Sequence, residues 1–314
     1  MNLIERLQIA FPFSRREVEL LIHTAPRRYK IHSIEKRNGR GLRMIAQPTA
    51  ELKLVQRWLV SNYLQSLPVH SAATAYRPNL GIKDHAQLHA SGKYLLKLDF
   101  EDFFPSIRGE DFRRHVARFS DVTLPDQIAM VRLLFRADID ARRLILSIGA
   151  PSSPIVSNTV MYPFDLAVKE YCEQADVRYS RYADDLAFST NVPHILEGVR
   201  ARVIEICRTL EYPRLRLNER KTVFTSKKHQ RQLTGLILTN DGRASLGREK
   251  KRKIRATAHH FAHGVLSSEE IGKLRGLIAF AMSIDAEFVV SINNMLGEQM
   301  FKELMRGHGE VAEG

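Results

Sequence analysis

Tyr182-Ala183-Asp184-Asp185 stands between two β-like runs, Val177-Arg178-Tyr179-Ser180-Arg181 before it and Leu186-Ala187-Phe188-Ser189-Thr190 after it. Two short strand-like runs joined by small and acidic residues predict a β-hairpin. The hairpin sets adjacent carboxylates at an exposed turn flanked by apolar strands. Like charges so placed repel unless a cation lies between them, and hard carboxylate oxygens suit magnesium. Asp is also a common turn residue for its local hydrogen bonds, so the dipeptide alone does not separate a metal site from a polar turn.

A second acidic cluster lies upstream, Tyr94-Leu95-Leu96-Lys97-Leu98-Asp99-Phe100-Glu101-Asp102-Phe103-Phe104-Pro105-Ser106. Tyr94 to Leu98 predicts a buried strand with Asp99 at its end, and Pro105 ends regular pairing. A carboxylate at the end of an apolar strand is costly to desolvate unless it is paired or holds a metal. If this strand lies beside the 177–190 hairpin in one sheet, Asp99 and Asp184 converge from distant parts of the chain. Two such carboxylates can bridge a pair of magnesium ions about 4 Å apart, an arrangement suited to in-line phosphoryl transfer.

The two clusters resemble the catalytic motifs of bacterial reverse transcriptases, Leu98 to Ser106 the first and Tyr182 to Asp185 the second. The resemblance is closest to retron reverse transcriptases and extends from about Arg27 to about Phe280. It implies an α+β, right-hand polymerase fold. Fingers with N-terminal helices would span 1–95, and a palm of antiparallel sheet with helices 96–240, with a finger insertion near 108–147. A basic helical thumb would span 241–314. It also implies an RNA-directed DNA polymerase in which Asp99, Asp184, Asp185 and the Phe100 backbone carbonyl hold two Mg2+ ions, with Mn2+ as a substitute.

Composition agrees with a polyanionic partner: 48 Lys and Arg against 35 Asp and Glu give a formal net charge of +13. No apolar run approaches the roughly 18–20 residues of a spanning helix. Met1 to Phe13 lacks the long apolar centre of a signal peptide. Cys172 and Cys207 make neither zinc-ligand spacing nor a disulfide framework. A cytoplasmic protein with no membrane partner is therefore expected.

Other stretches acquire roles through the resemblance. Gly149-Ala150-Pro151-Ser152-Ser153-Pro154 reads either as a Pro-rich turn before a helix near Ile155 or as small residues that let backbone approach a ligand. The resemblance makes Gly149, Ala150 and Pro151 the loop that supports template base and incoming nucleotide. Ile148 stands where many reverse transcriptases have Gln, so a polar contact is not carried over there. Phe104 would exclude a 2′-hydroxyl by steric contact with the sugar. Lys221, in Asn218-Glu219-Arg220-Lys221-Thr222, would protonate or stabilise pyrophosphate. Arg43 would grip the triphosphate with its guanidinium fork. Its rivals are Lys36, Arg37 and Arg40, at a turn-rich stretch read as a hairpin tip.

Leu233-Thr234-Gly235-Leu236 and His85-Ala86-Gln87-Leu88-His89 resemble two retron signatures, Val-Thr-Gly and Asn-Ala-x-x-His, with Leu for Val and His for Asn. Through them His85, His89, Thr234 and Gly235 are expected on RNA, although ordinary packing would also account for each. Arg248-Glu249-Lys250-Lys251-Arg252-Lys253-Ile254-Arg255 opens a helical pattern whose bases, Arg248, Lys250, Lys251, Arg252 and Lys253 among them, would neutralise phosphates. His259, His260 and His263 read as surface or RNA-facing residues rather than metal ligands.

The implied partners are a cognate structured noncoding RNA, its single-stranded DNA product, deoxynucleoside triphosphates and a separate effector protein of anti-phage defence. No nuclease domain is expected. The rival readings are a reverse transcriptase of another bacterial lineage and an RNA-binding scaffold with little polymerase activity.

Overall fold

The computed structural model describes residues 1–35, 41–138 and 143–306. Lys36, Arg37 and Arg40, and with them the expected hairpin tip, lie outside the described residues.

Helices α1 (Leu3–Ala10) and α2 (Arg15–Thr24) each start on a capping box, Asn2 with Glu5 and Ser14 with Glu17, and bury Leu3, Leu7, Val18 and Leu21. An antiparallel pair, β1 (Tyr29–Glu35) and β2 (Leu42–Pro48), leads to α3 (Ala50–Asn62). Then come α4 (Ile82–Ala90), β3 (Tyr94–Asp99) and the single turn α5 (Phe103–Ser106). Helices α6 (Gly109–Phe119) and α7 (Leu124–Leu134) precede a short ladder of β4 (Arg136–Ala137) and β5 (Leu144–Ile145). Pro in the first turn opens both α8 (Ser153–Val160) and α9 (Tyr162–Gln174), where no backbone donor is needed. The predicted hairpin forms from β6 (Arg178–Tyr182) and β7 (Asp185–Thr190), and α10 (Ile195–Thr209) follows. Strands β8 (Val223–Ser226), β9 (Arg231–Leu233), β10 (Leu236–Leu238) and β11 (Ala244–Ser245) lead into α11 (Arg248–Ala262). The chain then continues through α12 (Ser268–Ile284), α13 (Ala286–Leu296) and α14 (Glu298–Met305).

The chain divides into two compact units: Met1–Gly81 with Tyr94–Phe224, and Ile82–Lys93 with Thr225–Gly314. This grouping by contact is a separate matter from the three-part division at 95 and 240 expected from sequence. The segment carrying α4 joins the C-terminal residues because polar bonds tie it there. Gln87 donates to the Gly242 carbonyl at 2.9 Å and accepts from Ala244 N–H at 2.9 Å. The buried Arg231 guanidinium donates to the Ala90 carbonyl at 3.1 Å and to that of Gly92.

In the first unit the central sheet runs β6-β7-β3-β8, and the chain leaves the unit along β8. Register fixes what each face carries. Leu98 opposes Leu186 and Leu96 opposes Phe188, and these rungs join the hydrophobic core with Phe164 and Val168 of α9 and Val199 and Val203 of α10. The alternate rungs, Asp99 opposite Asp185 and Lys97 opposite Ala187, point to the other face.

Candidate active site

The turn of the β6–β7 hairpin is two residues long, Ala183 and Asp184, because Tyr182 pairs directly with Asp185. Ala183 has φ +56, a left-handed value usual for Gly. A buried ionic network beneath the turn holds it there. Arg181 Nη1 donates to the Ala183 carbonyl at 3.1 Å and to Asn158 Oδ1 at 3.3 Å. Its Nη2 and Nε bind the Asp165 carboxylate at 2.6 and 2.9 Å, which also accepts from the Tyr179 hydroxyl at 2.7 Å. Arg181 and Asp165 are both fully buried.

Above the turn the charges are not balanced. Asp99 and Asp185 are cross-strand partners on one rung, with Asp184 next in the turn. Like charges directly opposite destabilise a sheet. Burial, then the charges of Asp184 and Asp99, push the Asp185 carboxyl up to about 7. Burial raises Asp99 as well, against the hydrogen bond from Lys221. Lys221 reaches in from the turn Glu219–Lys221, and its ammonium donates to both Asp99 oxygens at 2.8 and 2.9 Å. Burial alone would lower that ammonium; Asp99, with Asp184 and Asp185 behind it, raises it instead. The backbone locks this corner, since Asn218 N–H donates to the Asp99 carbonyl at 2.7 Å and Phe100 bridges Leu217.

No three His, Cys, Asp or Glu side chains among the described residues are already drawn together as a metal-ligand set. Asp99 is instead engaged by Lys221. The donor chemistry still fits a hard divalent cation: three carboxylates at one strand end, one of them raised to about 7 by burial and by its acidic neighbours.

A cavity of about 380 Å3 in the same unit is lined by Phe104, by the loop from Ser147 to Pro151, and by Lys53, Arg57 and Tyr76. Phe104 is half-buried, its ring edge-to-face with Phe103 at 5.4 Å. Gly149 has φ +115, and a Cβ there would lie 3.2 Å from the Ala46 carbonyl and from Ile45 Cγ2. Its missing side chain therefore lets the loop close on β2, where the Ala46 N–H donates to the Ile148 carbonyl at 2.8 Å. Ala150 is buried in that loop. Arg43 is exposed on β2 opposite Ile34.

Lys53, Arg57 and Tyr76 are residues that sequence reasoning missed. Lys53 and Arg57 stand four apart on α3, on a different face from the buried Leu52, Val55 and Leu59, and that spacing was a readable signal. Tyr76 had none. Burial and then Asp184 raise its hydroxyl while Arg43 lowers it, so it senses both the carboxylates and the β2 arginine.

In the second unit, Thr234 and Gly235 form the two-residue turn between β9 and β10, at φ +46 and +82. That pattern is strained for a β-branched residue. Lys250 Nζ donates to the Gly235 carbonyl at 2.8 Å. Lys251 pairs with Asp285 at 2.5 Å and lies over the Phe288 ring at 5.3 Å. These two lysines thus also bond within the unit, although Lys250 is exposed, as are Arg248, Arg252 and Lys253. His85 and His89 take the packing alternative that the sequence left open. Both are 0 % exposed on α4, with rings 5.7 Å apart, and burial pushes His85 down to about 3. In this position the two rings pack α4 into the unit.

The chain is similar to known proteins. Residues 34–238 match the family described as reverse transcriptase (RNA-dependent DNA polymerase). The chain is 38% identical to the Retron Ec83 reverse transcriptase of Escherichia coli over 96% of each chain. It is 32% identical to the Retron Ec73 reverse transcriptase of the same organism, over 91% of this chain and 92% of that one. Among solved structures, apo telomerase from Candida tropicalis superposes with a TM-score of 0.51 at 12% identity, over 88% of this chain and 60% of the telomerase. That likeness concerns the fold alone, and the fold is the right-hand polymerase fold. No helix among the described residues is long and apolar enough to cross a membrane.

Proposed function

This chain belongs to the retron reverse transcriptases, a family of RNA-directed DNA polymerases, and on that premise we propose that it copies part of a structured noncoding RNA into single-stranded DNA at the Asp99–Asp184–Asp185 corner. The observation that carries the reading is the shared rung of Asp99 and Asp185 beside Asp184, three like charges against which the fold sets the single ammonium of Lys221.

Asp99, Asp184 and Asp185, with the Phe100 carbonyl, are the groups that hold Mg2+, two ions in all, with Mn2+ as a substitute. Bound there, divalent ions supply Lewis-acid polarisation of the reacting phosphoryl oxygens. The carboxylates orient the primer hydroxyl towards the α-phosphate of a deoxynucleoside triphosphate. Lys221 hands its ammonium from Asp99 to the departing pyrophosphate, as charge or as proton. Phe104 stands against the sugar, Gly149, Ala150 and Pro151 support the base, and Arg43 grips the triphosphate. Exposed Arg248, Arg252 and Lys253, with Lys250, Lys251, Thr234 and Gly235, follow the RNA in the second unit. Fingers, palm and thumb at 1–95, 96–240 and 241–314 are the working division of these roles.

Primer extension with Mg2+ on an RNA template tests the reading. The protein should extend, and Asp184→Asn should not while still binding RNA. Unchanged extension by that variant would refute the site. Family membership further supports a role in anti-phage defence with a separate effector protein in the cytoplasm. Phage plating on cells carrying the native locus or its Asp184→Asn form checks this, and equal plaque counts would remove defence from the proposal.

A further inference from the structure

A second cavity of the first unit, about 430 Å3, opens beside the start of α6. Four guanidinium groups rim it, those of Arg108, Arg113, Arg132 and Arg143. Glu110 is the carboxylate in its lining, shared by Arg113 and Arg114 at 2.7 and 3.1 Å; Arg114 also reaches Glu211 at 3.0 Å, so these two arginines are matched and the excess charge is that of Arg108, Arg132 and Arg143. Arg132 donates to the backbone carbonyls of Ile22, at 3.1 Å, and His23, neutral acceptors, and among the described residues no ion pair joins it to a carboxylate. Among the described residues no ion pair joins Arg108 or Arg143 to a carboxylate, and both are exposed.

The floor is apolar and closely packed. A Cβ at Gly109 would lie 2.6 Å from Val131 Cγ1 and 3.3 Å from Leu144 Cβ, so α6, α7 and β5 meet in direct contact. Ile128 lies on this floor and is 49% exposed, an apolar surface left to water. A cationic rim over an apolar floor matches a flat, weakly polar body with a phosphate edge, and the volume falls in the range of about 300–1,000 Å3 usual for ligand sites. A nucleotide of an unpaired strand has that shape and charge.

Two segments build both cavities. One runs from Phe104 to Gly109 and the other from Leu144 to Pro151. Leu146 N–H donates to the Ile107 carbonyl at 3.0 Å, and Arg108 bridges Ile145, so the two segments are fastened side by side. A strand with one base at the first cavity has its following nucleotides within reach of the second.

Resting on the polymerase reading above, we infer that this cleft seats the unpaired template strand ahead of the copied base. A base packs on Ile128, Val131 and Leu144, and its phosphates lie on Arg108 and Arg143.

The full-length protein is titrated with primer–RNA duplexes whose template overhang is either one nucleotide or about ten, a length typical of single-strand sites. The wild type should bind the long overhang more tightly and with a steeper salt dependence. Arg108→Ala with Arg143→Ala should cut long-overhang affinity about tenfold and flatten the salt slope by about 1.4, two phosphates at roughly 0.7 each. Short-overhang binding and single-nucleotide extension should stay as in the wild type. Ile128→Ser should lower long-overhang affinity without changing the slope. An unchanged long-overhang advantage in the double variant, or an equal loss on both overhangs, would overturn the inference. So would abolition of that advantage by free uridine monophosphate, which would mark a mononucleotide site. Failure of the wild type to extend at all would instead sink the polymerase reading, which the binding comparison does not depend on.

Discussion

Asp165 and Asp185 serve opposite faces of one β-hairpin, and their surroundings differ in kind. Asp165 meets Arg181 and Tyr179, which share rungs with the core residues Leu186 and Phe188, and its carboxylate receives donors from both. Asp185 turns to the other face, where its nearest charged neighbours include two more acids, and its carboxyl rises to about 7. The first arrangement satisfies a buried charge and fixes the turn. The second leaves charge uncompensated where a ligand can complete it. Folded chains break local rules of this kind at functional positions and support them with well-satisfied neighbours.

The contrast is open to attack from either side. The largest effect is expected on activity: Asp184→Asn should lower primer extension by about 10^3 or more, in the range of losing a principal transition-state charge contact. Its thermal midpoint should hold or rise, because a repulsion is relieved. A matching loss of stability would mean that the acid rung is structural after all.

On the opposite face, Asp165→Ala should cost about 3–5 kcal/mol, since Arg181 is left buried and unpaired. Denaturant unfolding measures it. Adding Arg181→Met should recover much of the loss. A single-variant cost below about 1 kcal/mol would remove the network as the support of the turn.

A smaller effect is expected from pH in metal-free protein. Asp185 has its carboxyl raised above its ordinary value near 3.8 to about 7, so the folded state holds a proton that the unfolded chain releases first. Stability should therefore fall as pH rises from about 4 to about 7 and level off above that. Asp185→Asn should flatten the decline, which urea midpoints across that interval would reveal. A decline of the same slope in Asp185→Asn would assign it to other groups.

The acid corner was legible because it rests on short-range signals: period-two alternation, a tight turn and a strand that ends on Asp99. Its partners on the other face were not. Asp165 is one polar residue in the helix α9, and nothing local announces that it will meet Arg181. The placing of Ile82–Lys93 with the C-terminal residues was hidden for the same reason, since Arg231 and Gln87 act across long stretches of chain. The sequence left His85 and His89 open. Resemblance to a retron signature suggested RNA contact, with ordinary packing as the alternative, and both rings are buried. Lys250 and Lys251 read only as bases that neutralise phosphates, and their bonds to the Gly235 carbonyl and Asp285 had no local signal.

The pairing of Asp99 with Asp185 has a practical outcome for anyone rebuilding this enzyme. The two acids are fastened by a ladder, not by the length of polypeptide between them. A reporter domain spliced into the link from Ser120 to Thr123 should thus leave catalysis intact, because loop length adds little entropy. One residue inserted inside β3 or β7 should be ruinous, since it inverts the pleat and carries an acid to the wrong side of the sheet.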